Sequence, residues 1–456
     1  MYFNSVKSNP LPKLKLALSL TGFMVLVIWF GWVLSIIIPK GVWDISFGSD
    51  QAELFYSASK ILDLKIDLIG HPSIWGFNHP GPAIRIYYML VFLLSFGDIF
   101  AFFLIDTFFK VSMISFAICL FIRKLNFPKI PTLVGMLAIA SNDYFISLMK
   151  TPWPYGLVIV GVLFFLYFVL DGEYFYSFIL LNILIQFSIT SIVFFVVYSI
   201  YFWEETFNSF KKHKLPYILF TLGIWFPPIL EAILNKGGNF IKILTAKTPG
   251  QGISFELLDI RPLFFNFNLP TELVQPGLAV SLLAFIYLII AKNSEKSHKM
   301  VFSVIAVSFL MPSLIGGKEF YYFAYLYPFV LVAFLVGISK LRSRLRFYAV
   351  ALITFYGVLN LGCVSKKYIN GGWNDFPLTQ INELTEEIRV LGHKKVNLFI
   401  DGPKSISLGL PILIVLSQKG VEADPSFVSP TSVYIHTSGP NCQVNFDSVK
   451  GTHICF

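Results

Sequence analysis

FGSDQAELFYSASKILDLKIDLIGHPSIWGFNHPGPAIRIYY, residues 47–88, gathers Asp50, Glu53, Asp63, Asp67, His71, His79 and Arg85 in a chain that is otherwise poor in charge. Only 13% of the 456 residues are Asp, Glu, Lys or Arg, against 55% hydrophobic and 17% aromatic. Soluble domains carry about 25% charged residues, and a chain this apolar would expose large greasy patches to water. The composition predicts a mainly α-helical, polytopic membrane protein. The quoted stretch is then a loop at the bilayer edge, where ionisable groups are costly and call for a reason.

The rest of the topology follows from that loop. A spanning helix needs about 20 apolar residues. Residues 14–38 qualify, with Lys7, Lys13 and Lys15 ahead of them. Cytoplasmic flanks carry the excess of Lys and Arg, which puts this N-terminus inside. The run is too long for a signal-peptide core and reads as an uncleaved first span. Pro39, Lys40 and Gly41 mark the outer face, so the first outer loop covers 39–98 and includes a short interfacial helix at 83–96. Further apolar segments lie at 99–122, 133–148, 153–170, 174–203, 217–230, 278–290, 301–315, 320–338 and 347–362. Parity makes 174–203 a hairpin turning near 186–190, because Lys211, Lys212, His213 and Lys214 read as cytoplasmic. The same holds for 292–299 and for Lys340, Arg342, Arg344 and Arg346. The expectation is a bundle of about 11 spans, with a second outer loop at 231–275. The net charge of +9 sits in these short clusters, so it marks loops at a membrane and not a nucleic-acid surface.

Residues 1–363 form the membrane domain in this reading, and 364–456 a small extracytoplasmic α/β domain. Within the tail, 378–391 and 411–418 read as helices, the second closed by Gly420, and 396–400 and 433–436 as strands. Cys442 and Cys455 are the disulfide candidate of this tail, while Cys119 and Cys363 read as packing residues in apolar segments. No spacing of Cys and His suggests zinc.

Asp50 and Glu53 stand at i and i+3, on one helical face. A carboxylate held at the interface can take a proton from an acceptor hydroxyl as a general base. The two acids together could also hold one divalent cation. An aromatic-rich amphipathic helix follows (Leu54, Phe55, Tyr56, Ala58, Ile61, Leu62), and then His79-Pro80-Gly81-Pro82 opens the helix Ile84-Arg85-Ile86-Tyr87-Tyr88.

This pattern resembles the first outer loop of the glycosyltransferase-C superfamily, which includes protein O-mannosyltransferases and lipid A aminoarabinose transferases. The resemblance covers Ser49 to Tyr88 and continues more faintly at Trp225-Phe226-Pro227-Pro228, Glu231 and Gly238-Asn239. It implies a sugar donor linked to polyprenyl phosphate, an acceptor hydroxyl on a lipid, glycan or protein, and reaction at the extracytoplasmic face. Asp50 would be the catalytic base, with Glu53 as the second acid. His79 and Arg85 would meet the donor phosphate, with Lys150 and Lys318 as further outer cations and Glu231, Tyr321 and Tyr322 near the sugar. The plainer readings are headgroup anchors for the lysines, a helix cap for Glu231, an aromatic belt for the tyrosines and loop structure for Asn239. The chain departs from the family where Gln51 follows Asp50 and where Gly81 replaces a second proline. The location implied is a prokaryotic inner membrane.

Two other classes compete. A flippase or transporter of lipid-linked sugars would place charges inside broken helices and often shows inverted repeats. In this sequence the charges read as lying at loop ends, and no repeat is visible. A polysaccharide polymerase or ligase would rest on a large late outer loop, for which 231–275 is the candidate.

Overall fold

The structure, a computed structural model, describes residues 47–65, 67–72, 77–245, 295–315, 323–339, 341–369, 378–390, 395–401, 405–424, 432–436 and 452–455. The expected spans at 14–38 and 278–290, Lys318, Tyr321, Tyr322 and Cys442 lie outside the described residues.

Helices dominate, as the composition requires. In chain order they are α1 (Ser49–Ser59), α2 (Ala83–Leu94), α3 (Ile99–Arg123), α4 (Lys129–Ala140), α5 (Asp143–Lys150), α6 (Pro154–Asp171) and α7 (Tyr174–Phe187). Then follow α8 (Ile192–Lys212), α9 (Lys214–Leu234), α10 (Gly238–Thr245), α11 (Lys296–Ile315), α12 (Leu326–Ser339), α13 (Ser343–Ile369), α14 (Leu378–Val390) and α15 (Ser405–Gln418). Local chemistry sets several of the ends. The Asp98 carboxylate accepts from Ala101 N–H at 2.7 Å and caps α3, and the Asn142 side chain caps α5 through Phe145 N–H. Pro154 opens α6 and Gly172, at φ 79°, closes it in the left-handed region.

Among the described residues four helices are long and apolar enough to cross a membrane, namely α3, α6, α9 and Ser343–Cys363 of α13. Such helices are what an integral membrane protein requires. Residues 129–150 are not the single straight span expected at 133–148. Helices α4 and α5 meet at 82°: Ser141 closes the first and Asn142 caps the second. Likewise α13 runs on to Ile369, past the expected domain boundary at 363.

The hairpin at 174–203 is observed. Chain direction reverses over Ser188 and a 3-10 turn, Ile189–Ser191, and Tyr174 at the start of α7 packs on Phe202 of α8 at 5.5 Å between ring centroids. The turn lies against the first loop, where Ala83 N–H donates to Gln186 Oε1 and Ile189 N–H to His79 Nδ1. The other end of α7 lies against the basic junction of α8 and α9, where Phe175 packs on His213 and Tyr217.

The tail forms a sheet of four parallel strands in the order β2-β1-β3-β4, with β1 at Lys395–Asp401, β2 at Glu422–Asp424, β3 at Ser432–His436 and β4 at Thr452–Cys455. Strands β2 and β4 were not expected. Helix α15 provides the crossover that parallel β1 and β2 need, and Gly420, at φ 75°, closes it as expected. Cys455 lies on β4. The buried face of α14 (Leu378, Ile381, Leu384, Ile388) and Ile412, Val415 and Leu416 of α15 share one core with Phe47, Leu54 and Phe55 of the first loop. Gln418 Nε2 also donates to the Gly97 carbonyl at 2.8 Å. The tail therefore rests on the end of the bundle that holds residues 47–98.

Candidate functional site

The site is built on two helices that pack against each other at the loop end, α1 and α2. Helix α1 is tied at its start by Gln51 Oε1, which accepts from Gly48 N–H at 3.1 Å. Its apolar side, Leu54, Phe55 and Ala58, is buried against Phe92 and Phe102. That burial leaves Asp50, Glu53 and Ser57 (i, i+3, i+7) on one polar face.

Arg85, from the first turn of α2, meets this face. Its Nη2 donates to Glu53 Oε1 at 3.0 Å, and its Nη1 reaches both Ser57 Oγ and Asp67 Oδ2. His71 Nδ1 donates to the other Glu53 oxygen at 2.7 Å, and Lys60 lies 3.4 Å from Asp67. One guanidinium thus bridges two carboxylates, and one carboxylate is shared by two cationic groups. Burial raises the Glu53 pKa, but the His71 hydrogen bond and charge and the Arg85 charge outweigh it and hold the group below its ordinary 4.5.

Asp50 differs. One turn before Glu53 on the same face, it makes no hydrogen bond or ion pair among the described residues and is half-buried. Glu53 is committed to His71 and Arg85, so the pair Asp50–Glu53 does not fit a cation site. Among the described residues no three metal-ligating side chains gather.

His79 is fully buried in the turn before α2. Burial, aided by the His71 charge, pushes its pKa down to about 3. The ring is therefore neutral near pH 7. Because Nδ1 accepts from Ile189 N–H, the ring proton belongs on Nε2. That nitrogen is buried with no partner among the described residues. Gly81 holds φ at 96°, and a Cβ there would lie 2.3 Å from the Gln186 side chain, so the turn calls for glycine. This turn is locked to α7.

The remaining expected residues fall around this centre. Asn239 has the structural role foreseen for it: its side chain exchanges two hydrogen bonds with the Asn78 backbone, at 2.8 and 3.0 Å. That contact joins the loop to α10. Glu231 is buried near the end of α9, accepts from Asn235 Nδ2 at 3.1 Å, and leaves Oε2 without a hydrogen bond among the described residues. Lys150 ends α5, and its carbonyl accepts from Thr107 Oγ1 at 3.2 Å.

Sequence reasoning missed one charged group. Asp106 and Lys110, both fully buried, form a 2.6 Å ion pair inside α3. Lys110 Nζ also donates to the carbonyls of Leu148 and Thr151, and Tyr87 OH donates to Asp106 at 2.9 Å. The charges are therefore not confined to loop ends. The signal was present as an acid and a base at i and i+4 in an apolar run. Asp67 and His71 were visible in the quoted stretch but had been given no role.

A scan against protein-family models finds no match to the chain, and a search of curated proteins finds none either.

Proposed function

We propose that the chain is an integral-membrane glycosyltransferase of the glycosyltransferase-C type, moving a sugar from a polyprenyl-phosphate donor to an acceptor hydroxyl at the extracytoplasmic face. The observation that carries this reading is the contrast on α1. Glu53 is fixed by Arg85 and His71, whereas Asp50, one turn away on the same face, has no partner among the described residues. An acid held at a membrane edge beside a rigid, charged scaffold suits a general base.

In the reaction, the acceptor oxygen attacks the anomeric carbon as the carbon–oxygen bond to phosphate breaks. Asp50 takes the hydroxyl proton, and the phosphate leaves with the bonding electrons. The Arg85 cluster keeps α1 and α2 in register, and His79 offers a neutral N–H at Nε2 to a donor or sugar oxygen. Lys150 and Lys318 are the candidate cations for the departing phosphate, and Glu231, Tyr321 and Tyr322 the candidate sugar contacts. The bundle has about 11 spans with its N-terminus in the cytoplasm, in a prokaryotic inner membrane. The tail, which shares a core with the first loop, is then extracytoplasmic and helps to select the acceptor.

A second reading, transport of a lipid-linked sugar, is favoured by the sharp α4–α5 break and the ion pair within α3. Lys110 there bonds backbone carbonyls at the end of α5 and just after it, which suits an anchor better than a moving gate.

The test is mass spectrometry of envelope glycans from cells with the chain, without it, and with Asp50→Asn. The expected result is a glycan lacking one sugar mass both in cells without the chain and in the Asp50→Asn cells. Identical glycans with and without the chain would contradict the reading.

A further inference from the structure

Far from the first loop, the surface of α7, α8 and α9 holds a groove of about 420 Å³ that the transfer reaction does not use. Its walls include Phe178, Trp203, Phe207, Phe210, Tyr217 and Leu222. The volume falls in the range of small-ligand sites, about 300–1,000 Å³. The groove faces outward, since Trp203 is 66% exposed and Phe207 and Leu222 are also exposed.

Charge marks one end. Helices α8 and α9 meet at Lys211-Lys212-His213-Lys214, all exposed. Lys211 Nζ lies over the ring of Phe207, a groove wall, at 4.5 Å from its centroid. The His213 ring packs on Phe175, which packs in turn on the groove residue Tyr217. None of the three lysines makes an ion pair among the described residues, and the nearby Glu205 is already paired with Lys296 at 2.7 Å. An apolar, outward-facing slot, ending under ammonium groups with no ion pair among the described residues, complements a molecule with a hydrocarbon tail and an anionic head.

We propose that this groove binds an acyl chain of an anionic membrane phospholipid, with Lys211, Lys212 and Lys214 holding the headgroup phosphate. The site is separate from the one assigned to the sugar donor. Gln186 and Ile189 abut the first loop at one end of α7, and Phe175 meets the basic junction at the other.

Trp203 reports on the groove directly. The full-length protein is placed in phosphatidylcholine nanodiscs and titrated with phosphatidylglycerol or phosphatidylcholine brominated in the acyl chain. The Trp203 signal is the difference between wild type and Trp203→Phe. Half-quenching should need at least about fivefold less brominated phosphatidylglycerol than phosphatidylcholine, the preference expected of even one lysine. The triple variant Lys211→Gln/Lys212→Gln/Lys214→Gln should quench equally with both lipids. Equal quenching in the wild type, a preference that survives in the triple variant, or no quenching by either lipid would overturn the proposal. None of these outcomes bears on sugar transfer.

Discussion

Arg85 and Lys110 are both cations held by carboxylates at the same end of the bundle, but in unlike surroundings. The acids around Arg85, Glu53 and Asp67, keep 26% and 32% of their side-chain surface exposed, while Asp106 and Lys110 keep none. The first set is partly exposed, and beside it lies Asp50, an acid with no partner among the described residues. The second is sealed, and its hydrogen bonds go to α2, to the last turn of α5 and to the α5–α6 connection. The difference separates a scaffold around a candidate site from an internal clamp, and each side of it can be broken.

The largest effect should come from the sealed pair. Lys110→Met leaves Asp106 buried without its cation and should cost about 3–5 kcal/mol. Replacing both, Asp106→Leu with Lys110→Met, should recover most of that loss, as read by thermal unfolding in detergent. Equal losses in the single and double variants would mean that the pair is not a closed unit. Arg85→Ala should cost less, about 1–3 kcal/mol, because water can solvate the half-exposed acids left behind. Arg85→Lys should restore only part, since an ammonium cannot reproduce the bidentate fork. Gly81→Ala should cost a similar 1–3 kcal/mol, roughly, from its left-handed backbone. A stability equal to wild type would show that the turn is not locked against Gln186.

Acid should act on the boundary set with a defined sign. Unfolded histidine takes a proton near pH 6.5, but buried His79 does so only at about 3. Its contribution is complete above pH 6.5 and falls between 6.5 and 3, by at most about 1.4 kcal/mol per pH unit. Glu53, with its pKa held low, adds a second loss below its ordinary 4.5. In unfolding curves measured across this range, His79→Asn should flatten the upper part of the slope. An unchanged slope would remove His79 as its source.

How much was legible follows from the same contrast. The charged loop stood out because polar residues cluster in an apolar chain, and helical spacing alone placed Asp50 beside Glu53. The hairpin was legible through the parity of basic clusters, and the tail's helices and two of its strands through periodicity. The α4–α5 bend was not, because Asn142 looks like any polar residue in a greasy run until its side chain is seen capping a new helix. The Asp106–Lys110 pair showed only as an acid and a base at i and i+4 in an apolar run, and its further partners, Tyr87, Leu148 and Thr151, are distant in sequence. The groups that fix Arg85 and the His79 ring come from residues 18 to 110 positions away, which spacing cannot reveal.

At the centre of the account, two acids one helical turn apart have opposite duties. The direct measurement is a paired one on Asp50→Asn and Glu53→Gln, each assayed for sugar transfer and for thermal unfolding in the same membranes. The predicted result is a loss of transfer of about 10²–10⁴-fold in Asp50→Asn with unfolding unchanged, and a lowered unfolding temperature with residual transfer in Glu53→Gln. Full transfer in Asp50→Asn, with activity abolished only in Glu53→Gln, would contradict it.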